Sequence, residues 1–311
     1  MKSIWTMGEM LVEIMRPCAG MSHEIAGEYL GPFPSGAPAI FIDTVAKLGI
    51  EAGIIGGIGK DGFGRNLRNR LERDGVNLKF VEERVDRATA VAFVMYNLDG
   101  SRQFIYHIGG TPATCAKMPE NAIEDVGFFH IMGCSLTADK IFCSEIIKTM
   151  HLMKENGAKI SFDPNIRPEL LQGDLQEIIQ PVIDNCSVLL PGVDELKMIA
   201  KADTVEAAVK TLFRNEVLEV ILLKHGSKGC EVITRQEHFS IPAFEIEQVD
   251  ATGAGDCFDG AFLSGILHGK DIVASAQMAS AAGALNAMAF GPMEGKISME
   301  TINQMLKSRQ I

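Results

Sequence analysis

The sequence predicts an α/β fold with a central, mostly parallel sheet, helices on both faces and a small β-sheet lid. Three observations carry this expectation. Strand-like and helix-like hydrophobic patterns alternate along most of the 311 residues, the rhythm of parallel strands joined by crossover helices. A hairpin pattern interrupts that rhythm between residues 78 and 110. Two apolar segments rich in Gly and Ala, 255–269 and 272–289, read as buried helices that pack closely.

In chain order, residues 4–14 read as a strand that meets a turn at Gly8-Glu9 and leaves as alternating Leu11, Val12, Glu13 and Ile14. Residues 15–35 are turn-rich. The spacing of Ile40, Phe41, Thr44, Val45 and Leu48 predicts a helix over 37–48, with Gly49 as its stop, and 52–58 reads as a buried strand. The interruption holds two β-like runs, 90–97 and 102–107, joined by the turn Leu98-Asp99-Gly100-Ser101. Alternation then resumes with strands at 127–132, 159–163 and 187–190 and helices at 141–156 and after Leu175. Strands at 220–224 and 229–234 follow, and a β-like run at 244–249 leads into the first small-residue helix. No repeat, low-complexity tract or linker divides the chain. Residues 1–311 are expected to form a single domain, with lid segments at about 10–35 and 90–110.

Composition narrows the function. With 47% apolar and 22% charged residues the chain can fill a core, and a net charge of −11 argues against a nucleic-acid surface, which needs clustered Lys and Arg. The opening MKSIWTMGEM has no long apolar region and no later stretch reads as a membrane span. Seven scattered cysteines, an odd number with no C-x-x-C pair, fit reduced thiols and a cytoplasmic location. Cys257, beside Asp256, reads as a packing residue among apolar neighbours.

The segment with most chemistry is Asp250-Ala251-Thr252-Gly253-Ala254-Gly255-Asp256, at the start of an apolar helix. Glycines let backbone amides converge on one point, and a helix start adds its positive end, so the segment can form an anion hole. Asp256 would stand in the first turn, beside that hole, where its carboxylate can take the proton of an attacking hydroxyl. A helix cap and a tight turn would explain a lone G-x-G-D equally well.

The longer string, D-x-T-G-A-G-D before a small-residue helix, resembles the signature of the ribokinase-like (PfkB) carbohydrate kinases. The resemblance implies that Asp256 is the catalytic base and that the amides of Gly253, Ala254 and Gly255 hold the transferring phosphate. It covers nearly the whole chain, because further landmarks follow in the family's order. Gly8-Glu9 through Glu13 resembles the strand that supplies an acidic sugar contact, and Ser35-Gly36-Ala37-Pro38-Ala39 resembles the Gly-rich approach to the first helix. Glu13, Gly36, Ala37, His107 and Arg167 are thereby implied at the sugar. Ile40 stands where relatives usually carry Asn, which removes one sugar hydrogen bond.

Asp163-Pro164-Asn165-Ile166-Arg167 matches the D-x-N-x-R segment of the fructokinase and 2-keto-3-deoxygluconate kinase branches, although such an Arg can also pair structurally with a carboxylate. Lys224 to Gly229 resembles the family's K-x-G-x-x-G loop, which implies Lys224, Gly226, Ser227 and Gly229 at ATP. Residues 279–288, with Gly291, resemble the helix and loop around adenine, which implies Ala284 and Gly291 there; Ser280 replaces a common Asn. Gly192-Val193-Asp194-Glu195 resembles the N-x-x-E element, with Gly for Asn, and implies that Glu195 organises Mg²⁺ through water. Asp250 and Thr252 correspond to a K⁺ site in relatives.

Gly57-Ile58-Gly59-Lys60-Asp61-Gly62 is literally G-x-G-x-x-G, but a strand and a helix precede it, whereas a dinucleotide fingerprint normally opens its domain. The kinase family's own early glycine motif fits better. Gly291 to Ser298 falls one residue short of a Walker A loop, and no zinc spacing or G-x-S-x-G elbow occurs.

The expectation is one ribokinase-like catalytic domain that uses ATP and Mg²⁺, with K⁺ as an additional candidate. It would phosphorylate a primary hydroxyl of a free ketohexose, and residues 31–49 are similar to a tagatose kinase-like subgroup. The alternatives are a 2-keto-3-deoxygluconate kinase, a sugar- or nucleotide-binding regulator on the same fold, and a dinucleotide oxidoreductase. Expected partners are the sugar and ATP, with neither nucleic acid nor membrane, and the lid edge offers a homodimer contact.

Overall fold

The computed structural model describes residues 2–121 and 123–308. At the Gly8-Glu9 turn the first apolar run splits between two sheets: β1 (Ser3–Met7) stays in a large one and β2 (Leu11–Met15) enters a small one. β3 (Leu30–Ser35) lies within the stretch read as turns. Its Pro32 and Pro34 are tolerated because β3 is an edge strand, where a missing N–H costs no ladder bond. Helix α1 (Ala37–Lys47) carries Pro in its first turn and is followed by Gly49 at φ 80.

β4 (Ala52–Gly59) leads into α2 (Gly62–Arg73). A Cβ on Gly57 would overlap the Pro112 carbonyl, and one on Gly64 the Gly59 carbonyl. Asp61 caps α2 by accepting from the Gly64 amide at 2.8 Å and also accepts from the Thr89 hydroxyl at 2.8 Å. The glycine pattern is a packed corner rather than a dinucleotide loop. β5 (Asn77–Arg84) falls inside the interrupted stretch yet pairs in parallel with β4, at an edge of the large sheet. β6 (Ala90–Tyr96) and β7 (Arg102–His107) form the predicted hairpin.

The second half restores the alternation. β8 (Val126–Met132), α3 (Gly133–Ala138), α4 (Lys140–Glu155), β9 (Lys159–Asp163), α5 (Leu175–Ile183) and β10 (Val188–Leu189) come first. Then follow α6 (Val193–Ala200), α7 (Val205–Leu212), β11 (Val220–Lys224), β12 (Cys230–Ile233) and β13 (His238–Ile241). Helices α8 (Ala254–Leu267), α9 (Ile272–Ala287) and α10 (Met299–Ser308) close the order. The predicted run 244–249 is not a strand. Pro242 lacks the donor to extend β13, and the Val249 and Asp250 amides turn to the Ala287 carbonyl at 2.8 and 3.1 Å.

Among the described residues the large sheet runs β13-β12-β11-β10-β9-β8-β1-β4-β5, parallel except where β12 meets its two neighbours. The small sheet runs β3-β2-β6-β7. Alternate residues of the central strands serve opposite cores. Phe128 and Leu222 pack with Phe41, Phe262 and Ala279 of α1, α8 and α9, while Phe129 and Leu223 pack with Phe142, Ile146 and Ile179 of α4 and α5. The small residues of α8 and α9 are needed for contact: a Cβ on Gly265 would stand 2.8 Å from Ser275 Oγ, and one on Gly260 2.7 Å from the Phe41 carbonyl. Among the described residues no helix is long and apolar enough to cross a membrane.

Candidate active site

The loop before α8 is built by hydrogen bonds that sequence alone does not reveal. The Asp250 carboxylate accepts from the Thr252 amide at 2.8 Å, from the Gly291 amide at 2.9 Å and from the Tyr96 hydroxyl of β6. Asn286 of α9 donates to the Thr252 carbonyl at 2.8 Å and accepts from the Gly295 amide at 3.2 Å. Gly253, at φ 76, caps α8, and a Cβ there would overlap the Pro292 carbonyl. The Ala254 amide turns back on the Ala251 carbonyl at 3.3 Å. The first-turn amides of Gly255 and Asp256 are the ones that α-helical geometry leaves without an intrahelical acceptor.

Asp256 separates two cavities. One is bordered by Glu9, Glu13, Gly36, Ala37, Ile40, Tyr106 and Cys134. The other is bordered by Asp163, Asn165, Glu195, Lys224 and Gly255. Arg102, Arg167, Gly253 and Asp256 border both. Burial pushes the Asp256 carboxyl up to about 7, with repulsion from Asp163 in the same direction, against the pull of Arg167, Lys224 and Arg102. Phe104 of β7 has the Arg102 and Arg167 guanidinium carbons 5.6 and 5.7 Å from its ring centre.

Besides Asp256, two carboxylates stand at the first cavity: Glu9 in the link between β1 and β2, and Glu13 on β2. Glu13 accepts from the Ser35 hydroxyl at 2.7 Å through Oε1, while Oε2 is buried with no partner among the described residues. Burial pushes Glu13 up to about 7, partly offset by Ser35. Glu9 accepts from Ser135 Oγ, and from Cys134 Sγ at 3.1 Å, and burial raises its carboxyl too.

In the second cavity Lys224 Nζ lies 2.9 Å from Asp163 Oδ2 and 3.1 Å from Asp259 Oδ2. Burial opposes ionisation of both carboxylates; the lysine overcomes it at Asp163, which stays charged, whereas Asp259 is raised by burial and by its neighbour Asp163. Glu195 accepts the Gly192 amide at 2.8 Å and the Ile166 amide at 2.9 Å, one on each oxygen. Each oxygen keeps a further lone pair for water, which fits water-mediated Mg²⁺. The K⁺ residues fit less well, since Asp250 and Thr252 are already tied to each other, to Tyr96 and to Gly291.

The structure places the predicted residues unevenly. Glu13, Gly36, Ala37, Arg167, Lys224, Gly253, Gly255 and Asp256 border the paired cavities. His107 does not: along β7 the residues alternate, and Arg102, Phe104 and Tyr106 face the cavity while His107 is exposed and meets Phe93 edge-on at 6.1 Å. Gly226 and Ser227 lie exposed on the turn after β11, and Gly229, at φ 106, packs so closely on the Ile241 carbonyl that a Cβ would overlap it. Ala284 is half-buried on α9, and Gly291 is buried, donating to Asp250. Arg102, Tyr106 and Cys134 were not singled out from the sequence, and Asn165 entered only as a letter of the D-x-N-x-R segment, with no role of its own; the period-two pattern of β7 was the one signal for the first two.

The chain matches the model for pfkB family carbohydrate kinases over residues 1–298. It is 32% identical to a fructokinase-1 of Zea mays over 290 residues, 89% of each chain. An E. coli protein assigned as a ribokinase II, solved with ATP and Mg²⁺, superposes with a TM-score of 0.89 at 34% identity, covering 99% of this chain and 100% of that one. A fructokinase double mutant from Vibrio cholerae O395, solved with fructose, ADP and potassium ion, shares the fold at a TM-score of 0.86 and 23% identity, with 98% of each chain covered. On its sequence match and its fold, this chain belongs to the pfkB family of carbohydrate kinases, phosphotransferases that act on a sugar.

Proposed function

We propose that this kinase transfers the γ-phosphoryl group of ATP to a primary hydroxyl of a free ketohexose of the tagatose or fructose type, with Asp256 as general base. The observation that carries the reading is the position of Asp256, at the wall between a cavity bordered by Glu9 and Glu13 and a cavity bordered by Lys224, Glu195 and the first turn of α8. The sugar would occupy the first, with the unpartnered Glu13 Oε2 and the Glu9 carboxylate accepting from its hydroxyls. Gly36 and Ala37 would let the sugar approach the start of α1. The phosphates would lie in the second, against the Gly255 and Asp256 amides.

Asp256 would take the hydroxyl proton as the oxygen attacks the γ-phosphorus, and Arg102 and Arg167 would face the charge on the transferring group. Mg²⁺, held through water by Glu195, would neutralise phosphate oxygens. No step is assigned to K⁺. Gly226, Ser227, Ala284 and Gly291 would border the nucleotide beyond the phosphates. The small sheet carries Glu13, Arg102 and Tyr106, so it would act as a lid that excludes water, the competing acceptor. On this reading the whole chain works as one catalytic unit, and β7, at the end of the small sheet, would offer its edge to a second copy.

A second reading, a keto-sugar-acid kinase of the 2-keto-3-deoxygluconate type, is favoured by one observation: both arginines border the sugar cavity. Glu9 and Glu13 favour the neutral sugar, because they would repel a carboxylate bound at their end. Coupled ADP release with Mg-ATP should rise with tagatose or fructose and much less with 2-keto-3-deoxygluconate. A preference for the sugar acid would reverse the choice, and tight sugar binding without any release would turn the protein into a sensor.

A further inference from the structure

Across the cleft from Asp256, β9 ends at Asp163 and Pro164-Asn165 makes a sharp elbow. Asn165 sits at φ 35, a left-handed conformation that Asn tolerates better than most side chains and Gly tolerates best. The elbow is firmly seated, because a Cβ on Gly133 at the start of α3 would overlap the Pro164 carbonyl. In this pose the Asn165 amide N–H donates to Asp163 Oδ1 at 3.1 Å, and Asn165 Nδ2 donates to Asp256 Oδ1 at 3.2 Å. Lys224 Nζ holds the other oxygen of Asp163 at 2.9 Å. Lys224, Asp163, Asn165 and Asp256 thus form one buried chain of contacts.

We infer that Asn165 is a positioning residue for phosphoryl transfer: it donates to Oδ1 of Asp256, fixes the plane of that carboxylate and leaves Oδ2 for the substrate hydroxyl. Lys224 acts at one remove, by anchoring the Asp163 carboxylate on which the elbow is built. The inference rests on the reading of Asp256 as the base. Around Asp256, Arg102, Arg167 and Lys224 favour its ionised form and Asp163 opposes it; Glu9, Glu13 and Cys134 share the first cavity with it, and Glu195 the second. Asn165 adds a neutral donor to the ionised form, so its loss raises the pH at which the carboxyl ionises.

An elbow needed only for its backbone would accept glycine without penalty, which makes Asn165→Gly the informative variant. We expect it to keep its melting temperature and its affinity for ATP. Its Asp256 side-chain carboxyl, followed by ¹³C NMR and identified by the signal lost in Asp256→Asn, should titrate about one pH unit higher. Turnover of fructose or tagatose with Mg-ATP should fall about tenfold, with its acid limb shifted by the same amount. Asn165→Asp, which puts a carboxylate of the same shape at the contact, should shift the titration further upward. An Asp256 titration unmoved in either folded variant overturns the inference. Full turnover in Asp256→Asn would instead remove the base reading, a separate result.

Discussion

Asp256 reports on the chemistry at the scale of one side chain. Asp256→Asn should keep ATP binding and lose ~10²–10⁴-fold in turnover, the range for a general base; retention of turnover would take the residue out of that role. Its carboxyl ionises near pH 7 because burial and Asp163 outweigh three cations. A base must be ionised, so kcat/KM for the sugar, which reports the protein before the sugar binds, should climb with pH through about 7 to a plateau, whereas a base at an ordinary carboxylate value would reach its plateau by about pH 6. A pH-rate profile with saturating Mg-ATP distinguishes the two. Asp256 was legible in the sequence because its motif is contiguous. Asn165 was visible only as a letter of the D-x-N-x-R segment; its contact with Asp256 was not, since it joins residues 91 apart and local pattern carries no information about such a pair.

At the scale of the element, β7 shows how a correct strand can yield a wrong residue. The sequence placed the strand at 102–107, as found, yet singled out His107, on the face opposite Arg102, Phe104 and Tyr106. A slip of one position in a strand inverts the face. His107→Ala should therefore leave the sugar KM near its original value, whereas Tyr106→Ala should raise it by about tenfold, the effect of ~1.4 kcal/mol lost from binding. Equal effects in steady-state kinetics would contradict the assigned faces. The close packing of α8 and α9 was readable from their Gly and Ala content, and the close contacts at Gly260 and Gly265 supply the reason. The failed strand at 244–249 shows the limit: its alternation was present, but the backbone donors that follow it found an acceptor in α9 instead of a ladder.

For the whole molecule, alternation of strands and helices announced a mostly parallel sheet without its strand order, and the hairpin marked the small sheet. What remained illegible was the division of the first run between sheets, because a turn does not say which partner each arm will find. The buried acids make a global prediction. Glu13, Asp43 and Asp256 are each pushed up to about 7 by burial. Folded-state values above the unfolded ones stabilise the protein at low pH, and that stability is lost as pH rises from about 4 through 7. His130, held neutral by burial down to about 3, works the other way around pH 6.5. Glu9 and Asp259 are raised by burial as well, so with five carboxyls against one imidazole the ligand-free melting temperature should fall by several degrees between pH 5.5 and 8. An increase over that interval would show that these acids are ionised in the folded protein.

The short link between β1 and β2 has one more implication. Glu9 sits in that link and is tied by Ser135 and Cys134 to α3 beside the large sheet, Glu13 lies on the small one, and the chain between them joins those bodies at that point. Such a tether permits pivoting and forbids sliding. A sugar bridging both carboxylates would pin the two arms together, so acceptor arrival and pocket assembly become a single event, and product departure requires the pivot to swing apart.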